Sequence, residues 1–184
     1  KAGICRYIHM VIDRMIALDS SHEYVLFVPH NTELPEHWLK NPNVKRVPIK
    51  FKSRLQRILW EHFQPKRFVK QYKIDVWFST AQMVPFPCGC PRSGMLHDLI
   101  PIFFLEHFTW EKATYQKLAL RYMVKHAESI LANSETTRND IVSFANIRGI
   151  EKRISVTPLG PGNELAPCLC DAATKAEVQA LGVP

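Results

Sequence analysis

Three short apolar runs, each closing on small or polar residues, constrain the fold of this chain more than anything else in it. They are Ser93-Gly94-Met95-Leu96-His97-Asp98-Leu99-Ile100-Pro101, Ile130-Leu131-Ala132-Asn133-Ser134-Glu135-Thr136-Thr137 and Arg153-Ile154-Ser155-Val156-Thr157-Pro158-Leu159-Gly160. A buried parallel strand reads this way where its carboxyl end opens into a loop. Open α/β sheets bind ligands at the carboxyl ends of their strands. His97, Asp98, Asn133, Ser134 and Gly160 are therefore expected along one rim, and the His-Asp pair is its strongest chemical lead.

The segments between these runs alternate in kind. Ile8, Val11, Ile12, Met15 and Ile16 recur at helical spacing within 4–18. Residues 24–28 are β-rich and close on Pro29. Residues 31–43 read as loop, 44–48 as a short strand near an edge, and 75–80 as a strand. Ser53 is placed to cap a helix through Trp60; Pro65 breaks it, and a second helix runs to Tyr72. Residues 82–92 hold three prolines and a glycine and read as a rigid loop. Residues 102–108 read as an apolar connection. Thr109 is placed to cap a long helix to Ala127, Ser134 one to Ala145, and residues 172–181 read as a terminal helix. Strands alternating with helices predict an α/β class: a three-layer α/β/α domain with a mainly parallel sheet. Trp110, Tyr115, Tyr122 and Met123, at near-helical spacing, are expected in a core or an interface.

At 184 residues the chain is long enough for one domain with a proper core. Hydrophobic residues are 46% and charged residues 22%, a globular balance. No apolar run approaches the ~20 residues that span a bilayer, and no secretory signal is visible. The net charge is +7, and between Lys45 and Lys73 ten Lys or Arg face a single acid, Glu61. Aromatic residues are interleaved there, so Trp60 and Phe63 with Lys66, Arg67 and Lys70 are candidates for contact with an anionic membrane surface; a solvated helix face is the alternative. No nucleic-acid-binding motif accompanies the charge, so nucleic acid is not an expected partner. The pairs Cys88/Cys90 and Cys168/Cys170 have one residue between thiols, where zinc sites usually have ~2–4, so no metal is expected. An odd cysteine count fits a reducing compartment.

The motifs also resemble a known family. Gly3-Ile4-Cys5-Arg6-Tyr7 is similar to the Gly-Ile-Gly-Arg-Tyr loop that follows the first strand of group 1 glycosyltransferases, the retaining family built from two Rossmann-like domains (the GT-B architecture). His97-Asp98-Leu99-Ile100-Pro101, Ala132-Asn133-Ser134 with Thr136, Thr137 and Asp140, and Thr157-Pro158-Leu159-Gly160 resemble its later motifs in order. Leu59-Trp60-Glu61 is similar to some mannosyltransferase-like members. Cys5 stands where the family has its second loop glycine, and its side chain keeps the backbone from approaching a phosphate as closely as glycine would.

The resemblance implies one half of a GT-B architecture. Residues 1–165 would be the N-terminal, acceptor-binding domain, its first strand absent, and 166–184 a linker and terminal helix leading to an absent donor-binding domain. The family's spaced glutamate pair, which belongs to that other domain, is not found in this sequence. The implied activity is retaining transfer of a hexosyl group from a nucleotide sugar, GDP-mannose or a UDP-sugar, to a carbohydrate or lipid-linked acceptor, as in polysaccharide biosynthesis. No cofactor and no essential metal are implied for this domain. The implied location is cytoplasmic, at the inner face of the membrane for members with lipid-linked acceptors. By the same resemblance His97 is the catalytic residue near the donor sugar; Gly3 lets its loop approach the substrates, and Arg6 is placed to pair with a phosphate. Ser79, Thr80 and Gln82, at a strand end on the rim, are placed to bind acceptor hydroxyls. Asp98 either orients His97 or caps the following turn, and Ser134 is first of all a helix cap. A non-catalytic carbohydrate- or phospholipid-binding module remains the alternative. A dinucleotide-binding domain would need a Gly-x-Gly-x-x-Gly loop, which the chain lacks.

Overall fold

The computed structural model describes residues 3–80, 82–103, 108–158 and 160. The linker and terminal helix expected over 166–184, with Cys168 and Cys170, lie outside them. In chain order the elements are helix α1 (Gly3–Leu18), strand β1 (Tyr24–Pro29), α2 (Glu36–Leu39), β2 (Val44–Ile49), α3 (Arg54–Phe63), α4 (Pro65–Tyr72), β3 (Trp77–Ser79), β4 (Arg92–Leu96), α5 (Ile100–Phe103), α6 (Trp110–His126), β5 (Ser129–Ala132), α7 (Glu135–Ala145), a 3-10 turn (Ile150–Arg153) and β6 (Ile154–Val156). No helix among the described residues is long and apolar enough to cross a membrane.

Every ladder is parallel, as the alternation of strands and helices predicts, but the ladders form two sheets. One pairs β1 with β2 and the other runs β3-β4-β5-β6. The two sheets meet through side chains: Phe27 of β1 stacks on Trp77 of β3, centroids 5.1 Å apart. Phe68 and Trp60 close around Phe27 at 5.2 and 5.9 Å, so α3 and α4 are sewn to this junction by aromatic packing.

The main core lies between the four-stranded sheet and helices α6 and α7. Leu96, Ile130, Ala132 and Ile154 from the strands meet Leu120, Met123, Val124 and Ile141 from the helices. Gly94 is required for this approach. A Cβ there would lie 2.6 Å from Met123 Cε and 3.0 Å from Val84 Cγ1. Gly94 and Leu96 face α6, while Met95 between them points to the opposite face and is also buried. A strand buried on both faces is what helices on both sides of a parallel sheet produce.

Local differences from the sequence reading have physical causes. The segment 31–43 holds a short helix, α2, because Trp38 is only 2% exposed and its indole N–H donates to Asp13 Oδ1 of α1 at 2.7 Å. His37 Nε2 reaches the same carboxylate at 2.6 Å. These contacts, the His37 one first, hold the Asp13 carboxyl below the usual carboxylate range. The connection after His97 begins with helix α5, the strand expected over 75–80 shrinks to Trp77–Ser79, and Thr109 makes no side-chain cap to α6. Of the residues expected in a core or an interface, Met123 is fully buried, and Trp110, 79% exposed on the first turn of α6, lies outside the core.

Candidate functional site

The registers build the rim. Leu96 pairs with Ala132 and Ala132 with Val156, so His97, Asn133 and Thr157 are the first residues beyond three aligned strand ends. The Thr157 N–H still donates to the Ala132 carbonyl at 2.7 Å, which keeps the tip of β6 against β5. Helix α1 runs away from this rim. Tyr7 near its start touches His97, and the carbonyl of Met15 near its end accepts from the Tyr24 hydroxyl at the start of β1 (2.9 Å). Strand β1 therefore returns toward the rim.

His97 is 9% exposed. The Tyr7 ring meets its imidazole edge-on, centroids 5.4 Å apart at 89°. Nε2 is buried and has no hydrogen-bond partner among the described residues. The His97 backbone is fixed from the side of α7, where the Thr137 hydroxyl lies 3.3 Å from the His97 carbonyl and 2.9 Å from Asn133 Oδ1. Ser134 caps α7 as expected, its Oγ accepting from Thr137 N at 3.1 Å. Its own hydroxyl donates to Thr137 Oγ1 at 3.1 Å. The helix N-terminus thus opens on the rim, where its dipole favours negative charge, and Glu135 in its first turn is drawn toward Arg138 at 3.5 Å.

Asp98 turns its carboxylate into the next helix: Oδ1 accepts from Ile100 N at 3.1 Å. That is the turn-capping alternative of the two the sequence leaves open, and it starts α5. The Gln82 side-chain amide donates to the Asp98 carbonyl at 3.2 Å, tying the loop after β3 to the rim. Ser79 pairs with Gly94, so Ser79 and Thr80 sit three and two residues short of the level of His97, both partly exposed. Gly3, Cys5 and Arg6 are exposed on the first turns of α1, and a side chain at Gly3 would meet no atom within 4 Å. Gly160 is exposed as well.

The structure thus joins His97, Asp98, Gln82 and Ser134 through direct contacts, and it adds Tyr7 and Thr137. Both added residues stood inside motifs of the sequence without a role. Tyr7 lies one helical turn after Gly3, which puts the two on the same side of α1, and Thr137 is the third residue after the capping serine.

A second polar cluster lies where α3 meets α6. His62 stacks on Phe86 at 4.8 Å, and its Nε2 is 3.3 Å from the Tyr115 hydroxyl. Burial holds its pKa below the ordinary histidine value. Glu61 beside it is raised by burial despite Arg57, whose Nε is 3.0 Å from Oε1. Trp60, expected at a membrane, instead packs inward on Phe27, Phe51 and Phe68; Phe63, Lys66, Arg67 and Lys70 remain exposed. The Cys88 and Cys90 thiols are free, their sulfurs 3.8 Å apart, and burial with the neighbouring Cys88 pushes Cys90 up to about 12. Among the described residues no group of three His, Cys, Asp or Glu is placed to hold a metal ion.

Comparison with curated proteins finds no match. The family model described as Glycosyltransferase Family 4 matches residues 2–160, a span that takes in the start of α1, the His97 rim and the tip of β6. The chain belongs to glycosyltransferase family 4.

Proposed function

We propose that this domain is the acceptor-binding half of a retaining glycosyltransferase, and that His97 faces the sugar being transferred. The observation that carries the reading is a census of the rim. The Asp98 carboxylate caps a turn, Ser134 caps a helix, the Gln82 amide holds a backbone carbonyl, and Thr137 ties His97 to Asn133. His97 Nε2 is the buried side-chain atom of this set left without a partner among the described residues. Burying a polar atom unpaired costs ~1–3 kcal/mol, a cost that a bound ligand supplying the missing bond would relieve.

The chemistry follows from that atom. A neutral imidazole at the strand tip can hydrogen-bond a sugar hydroxyl, and a protonated one can offset charge developing on the departing diphosphate. Retention requires the acceptor oxygen to form its bond to the anomeric carbon on the face from which the diphosphate leaves. When that bond forms directly no carboxylate nucleophile is needed, and because the acceptor proton goes to the departing phosphate oxygen no protein base is needed either. Arg6 and the N-terminus of α7 favour anionic groups in the cleft, and Ser79, Thr80 and Gln82 are the residues offered to the acceptor. A donor-binding domain, reached through the linker and terminal helix of 166–184, would supply the other wall. The resemblance of Leu59-Trp60-Glu61 to mannosyltransferase-like members makes GDP-mannose the first donor to try and UDP-sugars the next.

The test incubates the full-length protein with each donor and a carbohydrate or lipid-linked acceptor, follows nucleotide release, and assigns the product anomer by NMR. Nucleotide release with the donor's anomeric configuration preserved is expected. An inverted product refutes retention, and acceptor binding without nucleotide release from any donor moves the domain to the non-catalytic reading.

A further inference from the structure

Helix α3 has two faces of different character. It packs on the domain along two edges, with Trp60 in the aromatic junction on one and His62 against Phe86 and Tyr115 on the other, and Phe63 meets Phe86 edge-on at 5.0 Å. Its outer face carries Leu55, Leu59 and Phe63, four residues apart and therefore in one stripe. They are 65%, 49% and 60% exposed. Isolated exposed apolar residues are ordinary, but an aligned stripe on one helix marks an interaction surface.

The charge around the stripe identifies what covers it. Lys50, Lys52 and Arg54 precede its amino end and Lys66, Arg67 and Lys70 follow its carboxyl end, all exposed. Glu61, the single acid between Lys45 and Lys73, is held by Arg57. An apolar stripe rimmed by cations at both ends fits a bilayer surface with anionic headgroups: the leucines enter the headgroup–acyl boundary and the cations meet phosphates. A second copy of this chain would bring the same cations against each other, which opposes self-association through this face.

We infer that α3, through Leu55, Leu59 and Phe63 with the flanking cations, docks the domain on an anionic lipid surface. The helix, and not the inward-packed Trp60, is the contact. This inference does not rest on sugar transfer, because vesicle binding and nucleotide release are separate readouts and each can fail alone.

The experiment is vesicle co-sedimentation of the full-length protein. One set of vesicles is phosphatidylcholine alone, and the other contains about one-third phosphatidylglycerol. Binding to the anionic vesicles is expected at low salt, with release as the salt is raised and the Debye length shrinks. The Leu55→Ser/Leu59→Ser double variant is expected to partition about tenfold less, since both side chains leave the interface. Both residues are exposed, so the variant keeps its fold, checked by circular dichroism. Inorganic phosphate at matched ionic strength is expected to displace no more protein than chloride does, which separates a lipid surface from a free-phosphate site. Equal binding to both vesicle types, a double variant that binds like the parent, or a dimer that the double variant breaks while vesicle binding persists would overturn the inference.

Discussion

Replacing Thr137 by valine tests how the rim is held. The substitution keeps the shape of the side chain and removes a buried hydroxyl with three neighbours: Ser134 Oγ at 3.1 Å, Asn133 Oδ1 at 2.9 Å and the His97 carbonyl at 3.3 Å. One proton serves only one acceptor at a time, so the hydroxyl makes one accepted and one donated bond. Each is worth about 1 kcal/mol net, and the groups left behind are at best partly solvated. The expected loss is about 2 kcal/mol. In a domain of this size each kcal/mol moves the melting temperature by roughly 2–4 °C, so Thr137→Val should melt about 4–8 °C below the parent by circular dichroism. Thr137→Ser keeps the hydroxyl and loses one buried methyl group, a loss of about 1 kcal/mol. The ordering matters more than either value: valine must be the worse of the two. A valine variant within about 1 °C of the parent, or a serine variant that melts lower, would refute the view that this hydroxyl fixes the His97 strand tip to α7.

Other consequences concern the scaffold. Arg92 is buried and donates to the Pro85 carbonyl (3.1 Å), the His126 carbonyl (2.7 Å) and the Tyr122 hydroxyl (3.3 Å). Its partner Glu128 is half exposed, so the ion pair itself adds little. Arg92→Met should still cost about 3 kcal/mol in urea denaturation, because two carbonyls lose their donors. Stability should also depend on pH through His62. Its pKa is depressed in the folded state by burial, so the unfolded chain binds the proton first. Stability is then full above about pH 6.5 and falls as the pH drops from there toward the depressed folded value. His62→Gln should flatten that part of the stability–pH curve, and an unchanged slope would remove His62 as its source.

The sequence showed most of what is local. The strands before His97, Asn133 and Thr157 were legible because a buried parallel strand is apolar until its carboxyl end meets solvent. The caps at Ser53 and Ser134 were legible because the serine stands immediately before its helix, and both accept the expected backbone N–H. What stayed hidden depends on distant partners. Helix α2 lies in a stretch rich in proline and asparagine, and it forms because Asp13 holds Trp38 and His37 from another helix. Trp60 reads as one of several aromatics among cations, and only the packing around Phe27 shows that it turns inward while Leu55 and Leu59 turn out. The division into two sheets was equally invisible, since no ladder states its neighbours in the sequence. At the site, His97 announced itself, but the Tyr7 ring against it and the Thr137 hydroxyl behind it required the fold.

The central claim is that the His97 imidazole acts on the sugar in transit, and turnover of the full-length protein carrying His97→Ala tests it most directly. The account predicts a fall in kcat of about a hundredfold or more, the scale of losing one preorganised donor, with a melting temperature close to that of the parent. Near-normal kcat in a folded His97→Ala protein would contradict it.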